Sequence, residues 1–474
     1  MLPLYDSLTS EEITKIHEAS LKVLEETGIL LSHHRTLDIL YQKGAKISKD
    51  RQRVFMPRDF VEEMIKLCPN SFPCAAIKPE NDLVIERGRR YTRMIRGPVS
   101  LFDLSSARAY PMRFEDNMDA ARLANRLPNI HITSSMTPQD IDLATYDIKV
   151  LKGLLEHSEK HLWAYTCHSS HLKYQMEMAT AVAGSLEKLR ERPILSGIFC
   201  VIDPLRYPDD ELERLFLWGN YSIPVRVPIN ALVGGNAPYT LAGTMTQMNA
   251  EFLSSTAIIQ ALFPGLGVWY YCLPQVLNRN IGKPVANGPE LMYLYASSAT
   301  MARYYGVPST YASGAITCNQ GHQLMYHFGM NQTLATIMGV TEQGGAGSVM
   351  GAYAYSHEAL AIMDESMAYL DIFAGEKEYS LESLATSDIR ASFESGEFAT
   401  SKLTLKRLEK DKWFTPTLFD WSDHDQMERR PDTILDRAEQ KVNEILKNPE
   451  PEPLPPEVLK ELDRIMEAAE KEFA

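Results

Sequence analysis

The sequence predicts an α/β protein: a (β/α)8 TIM barrel, preceded by a helical layer with a small β-appendage and followed by further helices. Three observations lead there. From 115 to 375, helical segments alternate with apolar runs of strand length. The runs are His131–Met136, Leu162–Cys167, Ile194–Ile202, Val225–Val233, Gly267–Cys272, Val307–Ala312 and Gly345–Met350, nearly unbroken in apolar or small residues, as suits strands buried on both faces. Seven such units suit an eightfold barrel with one strand left unplaced. A doubly wound open sheet, the alternative, usually contains fewer units.

Residues 1–114 form the first part. Thr9-Ser10-Glu11-Glu12 is a capping box. Ile13, Ile16, Val23 and Leu24 follow at helical spacing, and Gly28 ends the helix. Ser32 is placed to cap a second helix that stops at Gly44, and Pro57 opens a third that ends before Pro69. Leu83–Ile85, Tyr91–Ile95 and Val99–Leu104 predict short strands, with Gly88 and Gly97 at the turns and Asp103–Tyr110 as a turn and return. With no helix between them they are expected to form a β-appendage. The barrel is assigned to 115–375. Residues 376–474 begin as a polar helical segment. A stiff linker carries Pro449, Pro451, Pro453, Pro455 and Pro456, and an amphipathic helix from Glu457 to Glu470 closes the chain.

The balance of 48 Lys+Arg against 62 Asp+Glu, net −14, argues against nucleic-acid binding. The six cysteines show no CxxC spacing and are expected to be reduced thiols. The start, MLPLYDSLTSEE, lacks a basic region and an apolar core, so no signal peptide is expected. No uncharged apolar run reaches the ~18 residues of a membrane span. A cytoplasmic enzyme is the expectation.

In a parallel barrel, ligands bind where the strands end. These ends carry His168 and His171 after the second run, Gly234-Gly235-Asn236 after the fourth, and Trp269–Cys272 in the fifth. Tyr311 lies in the sixth, and Tyr353, Tyr355 and His357 follow the seventh. The richest stretch, 310–365, also holds Asn319, Gln320, His322 and Glu342. Cys167, His168 and His171 are zinc-ligand types, but adjacent residues seldom reach one metal, and no metal site is expected. Gly344-Gly345-Ala346-Gly347 lacks the spacing of a dinucleotide fingerprint or a P-loop. Ring faces attract cations, so aromatic residues facing the mouth can cage an ammonium group. Alternate strand residues point outward, which leaves about half of these rings as packing.

The chain resembles the trimethylamine methyltransferase superfamily of corrinoid-dependent methylamine methyltransferases. The resemblance rests on HEASLKVLEETGI (His17–Ile29), GAGSVMGAYAYSHEALAIMDE (Gly345–Glu365) and TLKRLEKDKWFTPTLFDW (Thr404–Trp421), in that order. It implies a TIM barrel that moves a methyl group from an amine to the Co(I) of a separate corrinoid protein docked on the barrel mouth. The trimethylamine enzymes carry pyrrolysine, and every residue here is a standard one. The resemblance therefore points to the non-pyrrolysine branch, which acts on quaternary amines such as glycine betaine, proline betaine and carnitine. Glycine betaine is the expected substrate. No acid/base pair is needed, because a quaternary nitrogen leaves as a neutral amine, and no catalytic side chain is assigned. Tyr355, Tyr271 and Tyr311 are expected in the aromatic cage. His357, His168, Gln320, Asn236 and Arg96 are the candidates for the carboxylate. Gly234, Gly235, Gly344 and Gly345 are expected where a corrinoid edge approaches the backbone. No cofactor is expected on this chain, which lacks the Asp-x-His-x-x-Gly pattern of a cobalamin domain. A non-catalytic betaine-binding protein and a zinc-assisted methyltransferase are the competing readings, and a homo-oligomer is expected.

Overall fold

A computed structural model describes residues 4–278, 280, 282–285, 288–312, 322–410, 413–421, 432–447 and 454–473. Eight parallel strands close a barrel: β1 (Tyr91–Met94), β2 (Ile132–Ser134), β3 (His161–Trp163), β4 (Leu195–Ile198), β5 (Val225–Ile229), β6 (Val268–Cys272), β7 (Ser309–Ala312) and β8 (Glu342–Ala346). Each pairs with its successor, and β8 returns to β1 with Gln343 opposite Thr92. The predicted helices follow the strands in order, among them Phe114–Arg126, Ser169–Ala183, Leu241–Leu262 and His357–Ala374.

The strand missing from the sequence reading is β1. The run expected in the β-appendage is a barrel strand, so the barrel begins at 91 rather than 115. Its short run, Tyr91-Thr92-Arg93-Met94, places a charge among the inward positions and breaks the apolar signature of its neighbours. The rest of the supposed appendage divides in two. The hairpin of Ser71–Cys74 with Leu83–Glu86 plugs the barrel floor, where Phe72 meets Trp269 edge-on with ring centroids 4.7 Å apart. A Cβ at Gly267 would lie 2.6 Å from the Phe72 ring, so that position has room only for glycine. Ser100–Asp103 and Arg108–Pro111 form a second hairpin beyond the other end of β1.

The N-terminal helices Ser10–Glu26, His34–Gln42 and Arg58–Lys66 pack on the long helix Leu241–Leu262. Covered on both sides, that helix has lost the polar stripe of an ordinary barrel helix and buries even Asn249, Glu251 and Gln260. The first cap is as predicted: Thr9 and Glu12 form a reciprocal box. At the second helix His33, not Ser32, is the cap, its ring nitrogen accepting the Thr36 N–H at 3.3 Å. The last helix, Pro456–Phe473, lies on Ser169–Ala183 and Tyr146–His157, burying Leu462 and Ile465. Pro449, Pro451 and Pro453 of the linker fall outside the described residues. Among the described residues, no helix is long and apolar enough to cross a membrane.

Candidate active site

The period of two along each strand builds the barrel interior in layers. On the floor lie the rings of Phe72 and Trp269 with Ile85 and Ile132. Above them is a charged layer. Glu342 of β8 accepts from Arg93 Nε of β1 at 2.6 Å and from Arg226 Nε of β5 at 2.9 Å, and Arg226 Nη2 also bonds it. Thr310 Oγ1 of β7 donates to Glu342 Oε1 at 2.9 Å, and Arg226 Nη1 donates to Ser196 Oγ of β4 at 2.6 Å. All three charged side chains are at most 1% exposed. Burial pushes the Glu342 carboxyl up, but Arg226 and Arg93 outweigh it and hold the group down at about 2. Two guanidiniums against one carboxylate leave one net positive charge in the barrel centre.

Above this layer, at the C-terminal strand ends, opens a cavity of about 260 Å³. Arg93 and Arg96 enter from β1, Trp163 from β3, Asn230 and Tyr271 from β5 and β6, and Gln275 and Tyr295 from the segments after β6. Among the described residues lining it there is no Asp, Glu, His or Lys. Arg96 stacks over Trp163 at 4.6 Å and Tyr165 at 4.8 Å, and its Nη1 is buried with no hydrogen-bond partner. Burial pulls its pKa below the ordinary arginine value. Arg93 lies 3.8 Å over the Trp163 ring. Both arginines use the Trp163 ring, and Arg93 also reaches Tyr271, 5.6 Å from its ring centroid with Nη2 3.4 Å from its hydroxyl, so Tyr271 and Tyr295 are the aromatic surfaces less closely stacked by a guanidinium.

The predicted site residues divide accordingly. Arg96, Tyr271 and Gly345 line the cavity. Tyr311 does not: Thr310 takes the inward position, so Tyr311 points outward, 1% exposed, with its ring 4.3 Å from Tyr295. Tyr355 is fully buried in the packing layer against Gly347, its hydroxyl 3.2 Å from His357 Nδ1. His357 is thus a partner of Tyr355 rather than of the cavity, and burial pulls its pKa down to about 4. His168 is exposed at the start of the helix Ser169–Ala183, edge-on to His171. Asn236 is also exposed, but it holds the neighbouring loop. Its Oδ1 accepts from Leu232 N at 2.6 Å and its Nδ2 donates to the carbonyl of Asn230, the residue that reaches the cavity.

Gly234 and Gly235 lie exposed in that turn. A Cβ on Gly235 would come within 2.6 Å of Leu232, so its bareness serves the turn itself. Gly344 is buried below the cavity, where a Cβ would lie 2.1 Å from Arg93 Nη2. Its role is to admit that guanidinium, and a docking corrinoid has no access to it. Gln320 and Asn319 fall outside the described residues, as does the His322 side chain. Of the zinc-type trio, His171 Nδ1 bonds Asp147 at 2.8 Å and the Cys167 thiol faces the Tyr146 hydroxyl at 3.3 Å. Among the described residues no group of His, Cys, Asp or Glu is arranged to hold a metal.

Sequence reasoning missed Arg93, Arg226, Trp163 and Tyr295. A signal was present for Arg226: an arginine inside Val225-Arg226-Val227-Pro228-Ile229 can be buried only with a partner.

A closed parallel barrel with an aromatic and cationic cavity at its strand ends is the framework of a small-molecule enzyme. The chain belongs to the trimethylamine methyltransferase (MTTB) family, whose model matches residues 1–474, and it is a methyltransferase of that family. It is 28% identical to the glycine betaine methyltransferase of Desulfitobacterium hafniense strain Y51, over 97% of this chain and 96% of that protein. To the trimethylamine methyltransferase MttB of Methanosarcina barkeri strain Fusaro it is 25% identical, over 98% and 95% of the two chains. Its fold is similar to the crystal structure of the Methanosarcina barkeri monomethylamine methyltransferase, with a TM-score of 0.50 at 11% identity, covering 97% and 93% of the two chains.

Proposed function

We propose that this methyltransferase removes a methyl group from a betaine, glycine betaine first, and delivers it to the corrinoid of a separate protein. One observation carries the choice of substrate: the cavity presents an unpaired guanidinium, Arg96, and no lining carboxylate among the described residues. A bare trimethylammonium would meet the rings and the positive charge of Arg96, with no lining carboxylate among the described residues to offset that charge. A betaine brings its own carboxylate, which Arg96 can pair with, while Tyr271 and Tyr295 face the N-methyl end.

The corrinoid, carried by its own protein, would supply a Co(I) nucleophile. The C–N bond breaks with its electrons retained on nitrogen, so a neutral tertiary amine leaves and no proton is transferred. The chain's task is to hold the substrate in line and keep water away from the reacting carbon. Among the described residues, a lining without acids or histidines accords with that reaction. The test is methylation of a reduced corrinoid protein with release of dimethylglycine from glycine betaine. Inactivity with glycine betaine, proline betaine and carnitine alike, with a competent partner, rejects the reading.

A rim suited to such a partner surrounds the cavity. Loops and helix starts at the mouth present Ile202, Tyr239, Tyr293 and Tyr353, the last 73% exposed. Exposed tyrosines around a concave site are typical anchors of a protein interface. No described residue of 376–447 lines the cavity. Replacing Tyr353 by Ser is expected to raise the KM for the corrinoid protein roughly tenfold, the ~1–2 kcal/mol of an interface aromatic, and to leave betaine affinity unchanged. Equal loss of both would remove Tyr353 from the docking surface.

The aromatic assignment has its own check. Tyr271→Leu keeps bulk but loses the ring, and a cation–π contact of ~1–2 kcal/mol sets the expected loss of betaine affinity at roughly fivefold to thirtyfold. Tyr311→Leu, on the outer face of β7, is expected to bind betaine normally. Calorimetric titration of both variants distinguishes cage from packing, and the reverse order of effects would refute the assignment.

A further inference from the structure

The charged layer of the barrel sets two guanidiniums against one carboxylate, and they do not share it equally. Arg226 grips Glu342 with both Nε and Nη2, and it is not among the residues that line the cavity. Thr310 Oγ1 donates to the same carboxylate at 2.9 Å. Arg93 reaches Glu342 through Nε alone, and Arg93 does line the cavity. The uncompensated positive charge therefore lies on the cavity side of the layer.

Arg93 is fixed there on every side. Its Nη1 donates to the Met94 carbonyl at 3.1 Å and its Nη2 to the Tyr271 hydroxyl at 3.4 Å. Its plane lies 3.8 Å over the Trp163 ring. A Cβ at Gly344 would come within 2.1 Å of Nη2, so the bare backbone of that residue makes room for this guanidinium. The side chain is 1% exposed, where water and salt screen a charge least. A charge so held needs no reorganisation during a reaction. In a cavity of about 260 Å³, a substrate ammonium against Tyr271 lies close to it.

Like charges repel, so Arg93 weakens the binding of an ammonium. It aids catalysis only where the reaction removes that charge, and demethylation does. The C–N bond breaks with its electron pair retained on nitrogen. The methyl carbon takes the pair for its new bond from the Co(I) nucleophile of the corrinoid protein. The ammonium becomes a neutral tertiary amine, and the repulsion present in the bound substrate is relieved as the bond breaks. Such relief favours the transition state over the ground state, while the contact of Arg96 with the carboxylate holds the ammonium in place against it. We infer that Arg93 is a catalytic residue of this site, a fixed positive charge that opposes the substrate ammonium and is relieved as the methyl group leaves, which presupposes the betaine substrate proposed above.

The test is calorimetry of the wild type, Arg93→Met and Arg93→Lys with glycine betaine and with 3,3-dimethylbutanoate, its isostere with carbon in place of the ammonium nitrogen. Glu342 keeps Arg226 and Thr310 in both variants, so both are expected to fold. Arg93→Met should bind betaine roughly tenfold more tightly, since one nearby like charge is gone, with no gain for the isostere. Its saturated rate of methyl transfer to a reduced corrinoid protein should fall roughly threefold to tenfold. Arg93→Lys keeps the charge and should return both values toward wild type. Affinity and rate moving in opposite directions is a sign that a merely structural role does not produce. Should Arg93→Met fail to fold, the wild type still decides: the isostere must bind it more tightly than betaine, and the reverse order overturns the inference. A wild type that binds no betaine rejects the substrate reading and this inference with it. A wild type that binds and demethylates betaine, beside an Arg93→Met protein that binds it no more tightly, overturns this inference alone.

Discussion

Replacing Arg96 by Leu is expected to weaken glycine betaine binding roughly 30-fold to 1,000-fold, the equivalent of ~2–4 kcal/mol for losing one partner of a buried charge pair. The fold should tolerate the change. Nη1 of Arg96 has no hydrogen bond to lose, and the leucine keeps an apolar side chain over Trp163 and Tyr165. A Lys variant, which keeps the charge but not the planar fork, should recover part of the affinity. Choline, with the same ammonium head and no carboxylate, supplies the control. Its weak binding should be unchanged or improved in Arg96→Leu. Calorimetry of both ligands reads the prediction directly. Equal loss for choline and betaine would mean that Arg96 shapes the cavity rather than anchoring the carboxylate, and the preference for betaines would lose its main support.

The second large effect concerns stability. Glu342→Gln is nearly isosteric, yet it leaves Arg93 and Arg226 buried with no opposing charge among their contacts. Breaking a buried ion network in this way costs ~3–5 kcal/mol, which lowers the melting temperature of a chain this long by roughly 3–5 °C. Removing a cation as well should relieve part of the damage. The double variant Glu342→Gln/Arg226→Met is therefore expected to melt above Glu342→Gln alone, a non-additive result that marks the three groups as one unit. The pH dependence follows from the depressed Glu342 carboxyl. Its contribution is complete above the ordinary carboxyl value of 4.5 and is lost as pH falls through about 2. Thermal melts of the wild type should lose this increment between those limits, whereas Glu342→Gln lacks it at every pH. A Glu342→Gln protein as stable as the wild type would show that the layer contributes nothing to stability.

Behind the cavity lies a further buried carboxyl pair. Glu251 faces Asp203, and burial first, then the Asp203 charge, pushes Glu251 up to about 9. Oε2 of Glu251 and Oδ1 of Asp203 are both buried with no donor, the arrangement of two carboxyl groups sharing one proton. Gln247 links Glu251 to the backbone of Asn236, and so to the loop that positions Asn230.

Much of the architecture was legible because it is written in local chemistry. Six barrel strands appeared as apolar runs and the eighth only at its end, since the run Gly345–Met350 overlaps Glu342–Ala346 by two residues; the helices appeared as segments between them, because burial on both faces leaves no room for alternation. The family likeness came from short ordered segments such as Gly345–Glu365. The Gly267 contact with Phe72 and the plug it belongs to were not legible, because they join residues distant in sequence. The same holds for β1. A four-residue strand that carries Arg93 inward is recognisable only once Glu342 and Arg226 are seen to meet it.

The residues at the strand ends by themselves predicted that the barrel mouth would be rich in rings. Which rings face the substrate was decided by register, since a one-residue shift along a strand turns a side chain from cavity to packing layer. Tyr271 falls on the inward phase of β6, while Tyr311 falls on the outward phase of β7 because Thr310 takes the inner position beside Glu342. Tyr355, carried on a short strand beyond the barrel, is turned into the layer beneath the helix His357–Ala374. The sequence thus determined the barrel, its helices and the chemical character of its mouth. The tertiary structure alone decided that Arg96 enters the cavity with its Nη1 unbonded among the described residues, because the placing of counter-charges depends on every element around it.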